Sequence, residues 1–430
     1  MAQKKTKDWY TLDNAGILYS ALQREEYSAI YRFSAVLTRR VDPELLQAAV
    51  DECIPRFPGF AVRIKRGAFW YYFEPNDAPG PFVKKDISNP CQPVRYQEDN
   101  GWLIRFFYYE RRISLEVFHA LSDGAGAMTF FRTVLAAYLR HTGLDIPYAG
   151  PGLLDIREPA LGEEREDAYS RYAGKKVLRL GLQGKAYPNV GTPEPFYTFN
   201  VTMGFVPLDQ LRKLARDNGA TVTEYLTAVL LKVLVDKQRR EHPIKELPVA
   251  LAIPVNLRSW FPSATLRNFI ITVRPCIDPS LGQYSFEEIL NYTTHYMRLV
   301  LDRHRSKAIF TGNVRFQKNR LLGILPVFLK NPIMALSYRL AGVRPYSGTY
   351  TNPGAFKVPH EMSEWIDHME VILGQATVPR PHCASISYGN TMEITFGGTQ
   401  QERDTERAFF RFLVRAGLPV KVISNREEGV

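Results

Sequence analysis

The stretch EVFHALSDGAGAMTFFRTVLAAYL, residues 116–139, decides the fold. It continues a strand-like segment in which Ile113, Leu115 and Val117 alternate with Ser114, Glu116 and Phe118. His119 shares parity with the apolar set, so it is expected at the end of a buried strand, pointing inward. Beyond Asp123 and Gly124, the residues Ala127, Phe130, Phe131, Val134, Leu135 and Tyr138 recur at helical spacing. A core-facing helix therefore begins at the glycines. Asp123 stands near that helix start, where free amides and the dipole favour a carboxylate. The small residues from Gly124 to Ala127 allow another backbone or a ligand to come close. A histidine held inward beside a carboxylate can act as a general base near neutral pH. An ordinary histidine at a strand–helix joint has the same spacing, so the pattern by itself leaves both readings open.

Strand-like and helix-like stretches are interspersed on either side. Upstream lie a helix or loop around Ala15 to Glu25, a strand from Tyr27 to Leu37, and a helix opened by Asp42-Pro43. Asp42 serves that helix as N-cap, and Leu45, Leu46, Ala49, Val50 and Cys53 keep helical spacing. Two strands joined at Lys65-Arg66-Gly67 follow, with the aromatic run FWYYF (69–73) read as part of the second. Next comes a hairpin with arms Trp102 to Tyr109 and Ile113 to His119. Residues 143–196 are rich in glycine, proline and charge, include the acidic run GEEREDAY, and read as a linker. They divide the chain into lobes of residues 1–185 and 186–430. The second lobe opens with a strand (Tyr197 to Val206), a helix from Leu208, and another near Thr223 with Leu226, Val229, Leu230, Val233 and Leu234 on its apolar face. LPVALAIPVNLR reads as a buried strand, CASISYGNTMEITFGG as a hairpin turning at Gly389-Asn390, and Thr405 to Ala416 as a last helix. The expectation is an α/β (α+β) protein of two packed lobes.

The totals narrow the function. A chain of 430 residues, 45% hydrophobic and 23% charged, can build a large core and is not of disordered composition. Its net charge of +11 favours anionic partners such as nucleic acid, an anionic membrane, a phosphorylated cofactor or an acidic carrier protein. The basic residues occur as scattered pairs without interleaved aromatics, so nucleic acid is not expected. Cys53, Cys91, Cys276 and Cys383 are far apart and form no CxxC pair, which points away from structural zinc and from a disulfide framework. No metal site is expected. The N-terminal MAQKKTKDWY has no apolar segment behind it, and no uncharged apolar run of about 18 residues exists. A cytoplasmic location is expected. The nearest apolar run, residues 321–343, is interrupted by Pro326, Lys330, Pro332 and Arg339, and its ordinary reading is a core or tunnel-lining helix.

HALSDG resembles the HxxxDG signature of the chloramphenicol acetyltransferase-like superfamily. That group includes plant BAHD acyltransferases, bacterial alcohol and polyketide-associated acyltransferases, wax-ester synthases and condensation domains. AIPVNLRSWFPSATLRNF (252–269) is similar to the second-lobe strand of the group, where an arginine precedes an Asn-Phe or Gly-Asn pair. GTYTNPGAF (348–356) resembles its Ser/Thr-Asn-x-Gly segment, and SISYGNTMEITF its closing hairpin. Phe118 stands where condensation domains carry a first histidine, and the plant DFGWG segment is missing, so the bacterial alcohol-acyltransferase-like branch fits best. The resemblance implies two chloramphenicol-acetyltransferase-like lobes, each a mixed sheet flanked by helices, with a tunnel between them. It implies His119 as general base for direct attack of an alcohol or amine on an acyl-CoA thioester. Asp123 would be structural, with Arg258 as its salt-bridge partner, and Gly124 the glycine of close approach. Asn352, Thr351 and Tyr350 are candidates for binding the oxyanion or substrate, and Asn268 is a further candidate or a support of the lobe interface. Acyl-CoA would be a co-substrate rather than a tightly bound cofactor, and the protein a monomer. Two other readings stay open: a condensation-like enzyme using an acyl carrier protein as donor carrier, and a non-catalytic lobe pair that binds a lipid or partner, with residues 321–343 docking on a membrane. His360-Glu361 lacks the second histidine of a zinc-protease helix, and GLQGKA (181–186) fails as a phosphate loop.

Overall fold

Local signals set most element boundaries. Asp42 accepts from the amides of Glu44 and Leu45 at 2.9 and 3.2 Å, and Pro43 opens the helix Pro43–Cys53, whose buried residues are Leu46, Ala49, Val50 and Cys53. Thr221 and Glu224 form a capping box on the helix Val222–Glu241, which buries Leu226, Val229, Leu230, Val233 and Leu234. The computed structural model describes residues 9–22, 27–95, 98–178, 183–195, 198–242, 244, 246–319, 324–375 and 378–426. Parts of several expectations lie outside the described residues: the N-terminal eight positions, the end of the first helix (seen as Asn14–Leu22), positions 179–182 and 196 of the expected linker, Tyr197 ahead of the strand Asn200–Pro207, and positions 321–323 of the apolar run.

Two mixed sheets flanked by helices carry the fold. A five-stranded sheet runs in the order Ile366–Leu373, Ile30–Leu37, Arg112–Phe118, Ile104–Tyr109, Val83–Lys85, antiparallel except for its last pair. Against it pack Pro43–Cys53 and the helix Gly124–His141, where Phe130 stacks on Phe60 at 4.6 Å and meets the Phe57 edge at 4.9 Å. The larger sheet runs Ile270–Val273, Val249–Asn256, Gly348–Thr351, His382–Tyr388, Thr391–Gly398, Asn200–Pro207, Lys421–Ser424, with Cys276–Ile277 also paired to Val249–Asn256. Gly348–Thr351 is parallel to both neighbours. The five-stranded sheet packs into one apolar cluster, while the larger sheet contributes to both, with Val201, Met203, Ala384 and Ile386 in the first and Cys383, Met392, Ile394 and Phe396 in the second. The strand Ile366–Leu373 comes from late in the sequence yet pairs with Ile30–Leu37, Met369 opposite Ala35, so the two halves interlock.

Several expectations need correction. The strand before the key turn ends at Phe118, and both its faces are buried: Glu116 lies in an ion network with Arg32 and Asp86, so alternation does not mark a solvent face. His119 is thus placed by the turn, not by strand parity. The first hairpin pairs Val62–Arg66 with Tyr71–Pro75, and its turn lies at Gly67 to Trp70, closed by Gly67 N–H on Trp70 O (2.8 Å). Phe69 is at the tip rather than in a strand. Residues 143–196 are no free linker where described: Glu164 makes a buried two-bond pair with Arg56 at 2.7 and 2.8 Å, and Tyr169 Oη donates to Ile270 O at 2.7 Å. The helix Val327–Tyr338 is not a core helix, since much of its apolar surface is exposed. Among the described residues, no helix is long and apolar enough to cross a membrane.

Candidate active site

His119 is the first residue past its strand. Its N–H donates to Ala29 O at 2.8 Å, and the turn closes through Leu121 N–H on Phe118 O, also 2.8 Å. Asp123 then caps the helix Gly124–His141: Oδ1 accepts from the amides of Ala125 and Gly126, each at 3.1 Å. Its other oxygen accepts from Arg258 Nη1 at 2.7 Å and from Phe269 N–H at 2.8 Å. With four donors on a buried carboxylate, Asp123 has no capacity left for a substrate. Arg258 in turn donates to the carbonyls of Thr265 and Arg267 and to Asn256 Oδ1, so it ties residues 256–267 into one loop facing the histidine turn.

That loop presents Asn268. Its Nδ2 donates to His119 O at 3.0 Å, and its Oδ1 lies 3.1 Å from His119 Nδ1. A carbonyl can only accept, which fixes the amide with Nδ2 toward the backbone and Oδ1 toward the ring. Nδ1 therefore carries the hydrogen, and the lone pair sits on Nε2. The imidazole stacks on Tyr19 (4.6 Å, 26°) and meets the Tyr31 ring edge-on at 5.0 Å. Tyr31 Oη donates to Ser122 O at 3.0 Å, so the ring that flanks the imidazole also braces the turn. Burial holds the His119 pKa below its usual 6.5, with Asp123 and the Asn268 bond opposing in part. The imidazole is neutral at neutral pH, half-buried, with a fixed tautomer.

Behind Asn268 sits Asp13, fully buried at the start of the helix that carries Tyr19. Its Oδ1 accepts from Gly16 N–H at 2.7 Å and Oδ2 lies 3.5 Å from Arg267 Nε. Burial raises its pKa, with Arg267 the main opposing influence.

The glycine of close approach is Gly126, not Gly124. A Cβ on Gly126 would lie 2.0 Å from Leu266 O and 2.4 Å from Ser122 Oγ, whereas on Gly124 it would meet Phe33 and Pro353 at an ordinary 3.6 Å. Pro353 brings the Thr-Asn-Pro-Gly segment to the helix start. Asn352 does not face His119: its Nδ2 donates to Thr223 Oγ1 at 3.1 Å and its Oδ1 accepts from Gly354 N–H at 2.9 Å. Tyr350 is buried, its hydroxyl 2.9 Å from Ser385 Oγ. Thr351 has the opposite parity. It pairs with Ala384 of the N-terminal apolar cluster, so its side chain leaves the larger sheet toward the other lobe. Asn352 and Tyr350 are thus held elsewhere, Asn268 holds the histidine, and Thr351 faces the interface. Sequence reading missed Asp13, Tyr19 and Tyr31, and named Gly126 only within the run of small residues Gly124 to Ala127. Only the Asp13 cap had a local signal, an acidic residue just ahead of a helix. Among the described residues, no three His, Cys, Asp or Glu side chains gather to hold a metal ion.

The fold is that of chloramphenicol acetyltransferase-like acyltransferases and condensation domains. The polyketide synthase associated protein 5 of Mycobacterium tuberculosis superposes with a TM-score of 0.59 at 15% identity, covering 94% of this chain and 96% of that one. The trichothecene 15-O-acetyltransferase of Fusarium sporotrichioides gives 0.63 at 10% identity, with 97% and 96% covered. The starter condensation domain of rhizomide synthetase, solved with C8-CoA, gives 0.58 at 13% identity, with 95% of each chain covered. No family model matches the sequence, and no curated protein matches it.

Proposed function

We propose that the protein is an acyltransferase that moves an acyl group from an acyl-CoA thioester to an alcohol or amine, with His119 as general base. The observation that carries this is the two-bond clamp of Asn268 on His119, which leaves the Nε2 lone pair free on a neutral ring. The acceptor O–H or N–H gives its proton to Nε2 as the oxygen or nitrogen bonds to the thioester carbonyl carbon. The resulting oxyanion needs a donor, and Thr351 Oγ1 is the hydroxyl assigned to it. Collapse breaks the C–S bond, and the leaving thiolate takes the proton back from Nε2. Asp123 and Arg258 hold the turn, and the positive net charge suits the phosphates of CoA. No covalent enzyme intermediate is required.

The test is a screen of acyl-CoA chain lengths against small alcohols, amines and phenols, with release of free thiol as the readout. Acceptor-dependent thiol release with at least one pair is expected. Release only from carrier-bound thioesters would replace CoA as donor, and no acceptor-dependent release from either donor class would contradict the reading.

A further inference from the structure

The helix Val327–Tyr338 is held from one side only. Val327 N–H donates to Ala68 O (2.9 Å), Lys330 Nζ to Phe69 O (2.6 Å) and Asn331 Nδ2 to Tyr71 Oη (2.8 Å), while the Tyr338 ring meets Tyr27. The opposite side is apolar and, among the described residues, uncovered. Phe328 is 62% exposed, Ile333 48% and Leu336 59%, and Ile324 just ahead of the helix is 72% exposed. At the helical angle per residue, Phe328, Leu329, Ile333 and Leu336 fall within an arc of about 140°. Isolated apolar residues on a surface need no explanation, but a continuous face of them does.

The charge around this face names its occupant. From Arg303 to His360 the chain has ten lysines and arginines and no aspartate or glutamate, so this span holds ten of the eleven net charges. Arg315 and Lys318 before the helix, and Arg339 and Arg344 after it, are exposed. The face itself has few hydrogen-bonding groups that would specify a folded protein, and the charge in the sequence flanking it has one sign over a long span. A helix of 12 residues cannot span a bilayer but can lie in its interface.

We propose that this face docks the protein on an anionic membrane surface, with Phe328, Ile333 and Leu336 entering the boundary between headgroups and acyl chains and the flanking arginines binding lipid phosphates. The inference stands independently of the acyl-transfer reading. It bears on it, because the helix packs against Asn14–Leu22, whose Tyr19 stacks on His119, so the docked face lies over an element that borders the site.

The test is sedimentation of the full chain with vesicles of mixed phosphatidylglycerol and phosphatidylcholine, and with phosphatidylcholine alone. The wild type is expected to sediment with the anionic vesicles and to partition far less onto neutral ones. Phe328→Ser/Ile333→Ser/Leu336→Ser should lower partitioning about tenfold or more, and Arg339→Gln about fivefold. Both variants should keep the wild-type melting temperature and unchanged turnover of soluble substrates, which separates this proposal from the function of the site. Failure of the wild type to sediment with either vesicle, or sedimentation of the triple variant like the wild type, overturns the proposal. So does a dimer in solution that the triple substitution dissolves, since the face would then bind a second copy.

Discussion

Asn268 is the residue on which the chemistry of His119 turns. Losing its amide frees the imidazole to take the other tautomer, and Asn268→Ala should lower kcat by about ten- to a hundredfold while the fold is kept. Asn268→Asp places a carboxylate against Nδ1 and should raise the His119 pKa. A base works deprotonated, so the acid limb of the pH–rate profile moves to higher pH in that variant. An unmoved limb would mean that His119 is not the titrating base. The strand, turn and helix around His119 could be read locally, because alternation gives way to helical spacing within one stretch. The link from Asp123 to Arg258 was named from resemblance, and so was Asn268, as a candidate donor or a support of the lobe interface, but its two bonds to His119 were not legible. It lies 149 residues from His119, and nothing in its neighbours says that it will present one amide to both a carbonyl and a ring. Tyr19 is equally silent in sequence, being one aromatic residue on a short apolar helix.

At the scale of elements, the turn His119–Asp123 and the loop 256–269 behave as two halves of one clasp. Arg258→Met leaves the buried Asp123 without its cation and should cost about 3–5 kcal/mol, seen as a lower denaturant midpoint. Gly126→Ala would drive a methyl into Leu266 O and force the clasp open, so stability and activity should fall together. Gly124→Ala has room and should stay within about 0.5 kcal/mol of wild type. Equal damage from the two alanines would contradict the assignment of the close approach. Helix starts were legible because caps are local: Asp42 sits where it reads, and the helix read from near Thr223 begins at Val222 behind the Thr221 cap. The hairpin tip was misread because Phe69 and Trp70 look like strand residues, and only the register of Ile64 with Phe73 shows where the pairing ends.

For the molecule as a whole, the interlocked sheets explain why the fold could be recognised but not assembled from sequence. The interspersed elements implied two α/β lobes. No local feature of Ile366–Leu373 says that it will pair with a strand more than three hundred residues earlier. The residues 143–196 look like a linker by composition, yet Glu164 and Tyr169 brace the lobes through partners that sequence does not reveal. Two histidines carry a pH dependence. Burial depresses His119 below its usual 6.5, and burial, aided by Arg380, pushes His382 down to about 3. The unfolded chain takes up these protons as pH falls below about 6.5, while the native protein does not until lower values. Native stability should therefore decline as pH falls from that point toward 3, and His382→Leu should flatten the decline in melting temperature measured across that range.

The most direct test of the account is the rate of acceptor-dependent thiol release by His119→Ala beside the wild type, at saturating acyl-CoA and with melting temperatures matched. A fall of about 10²–10⁴ in kcat, with KM for the donor little changed, is the predicted result. Turnover undiminished in a folded His119→Ala protein would contradict it.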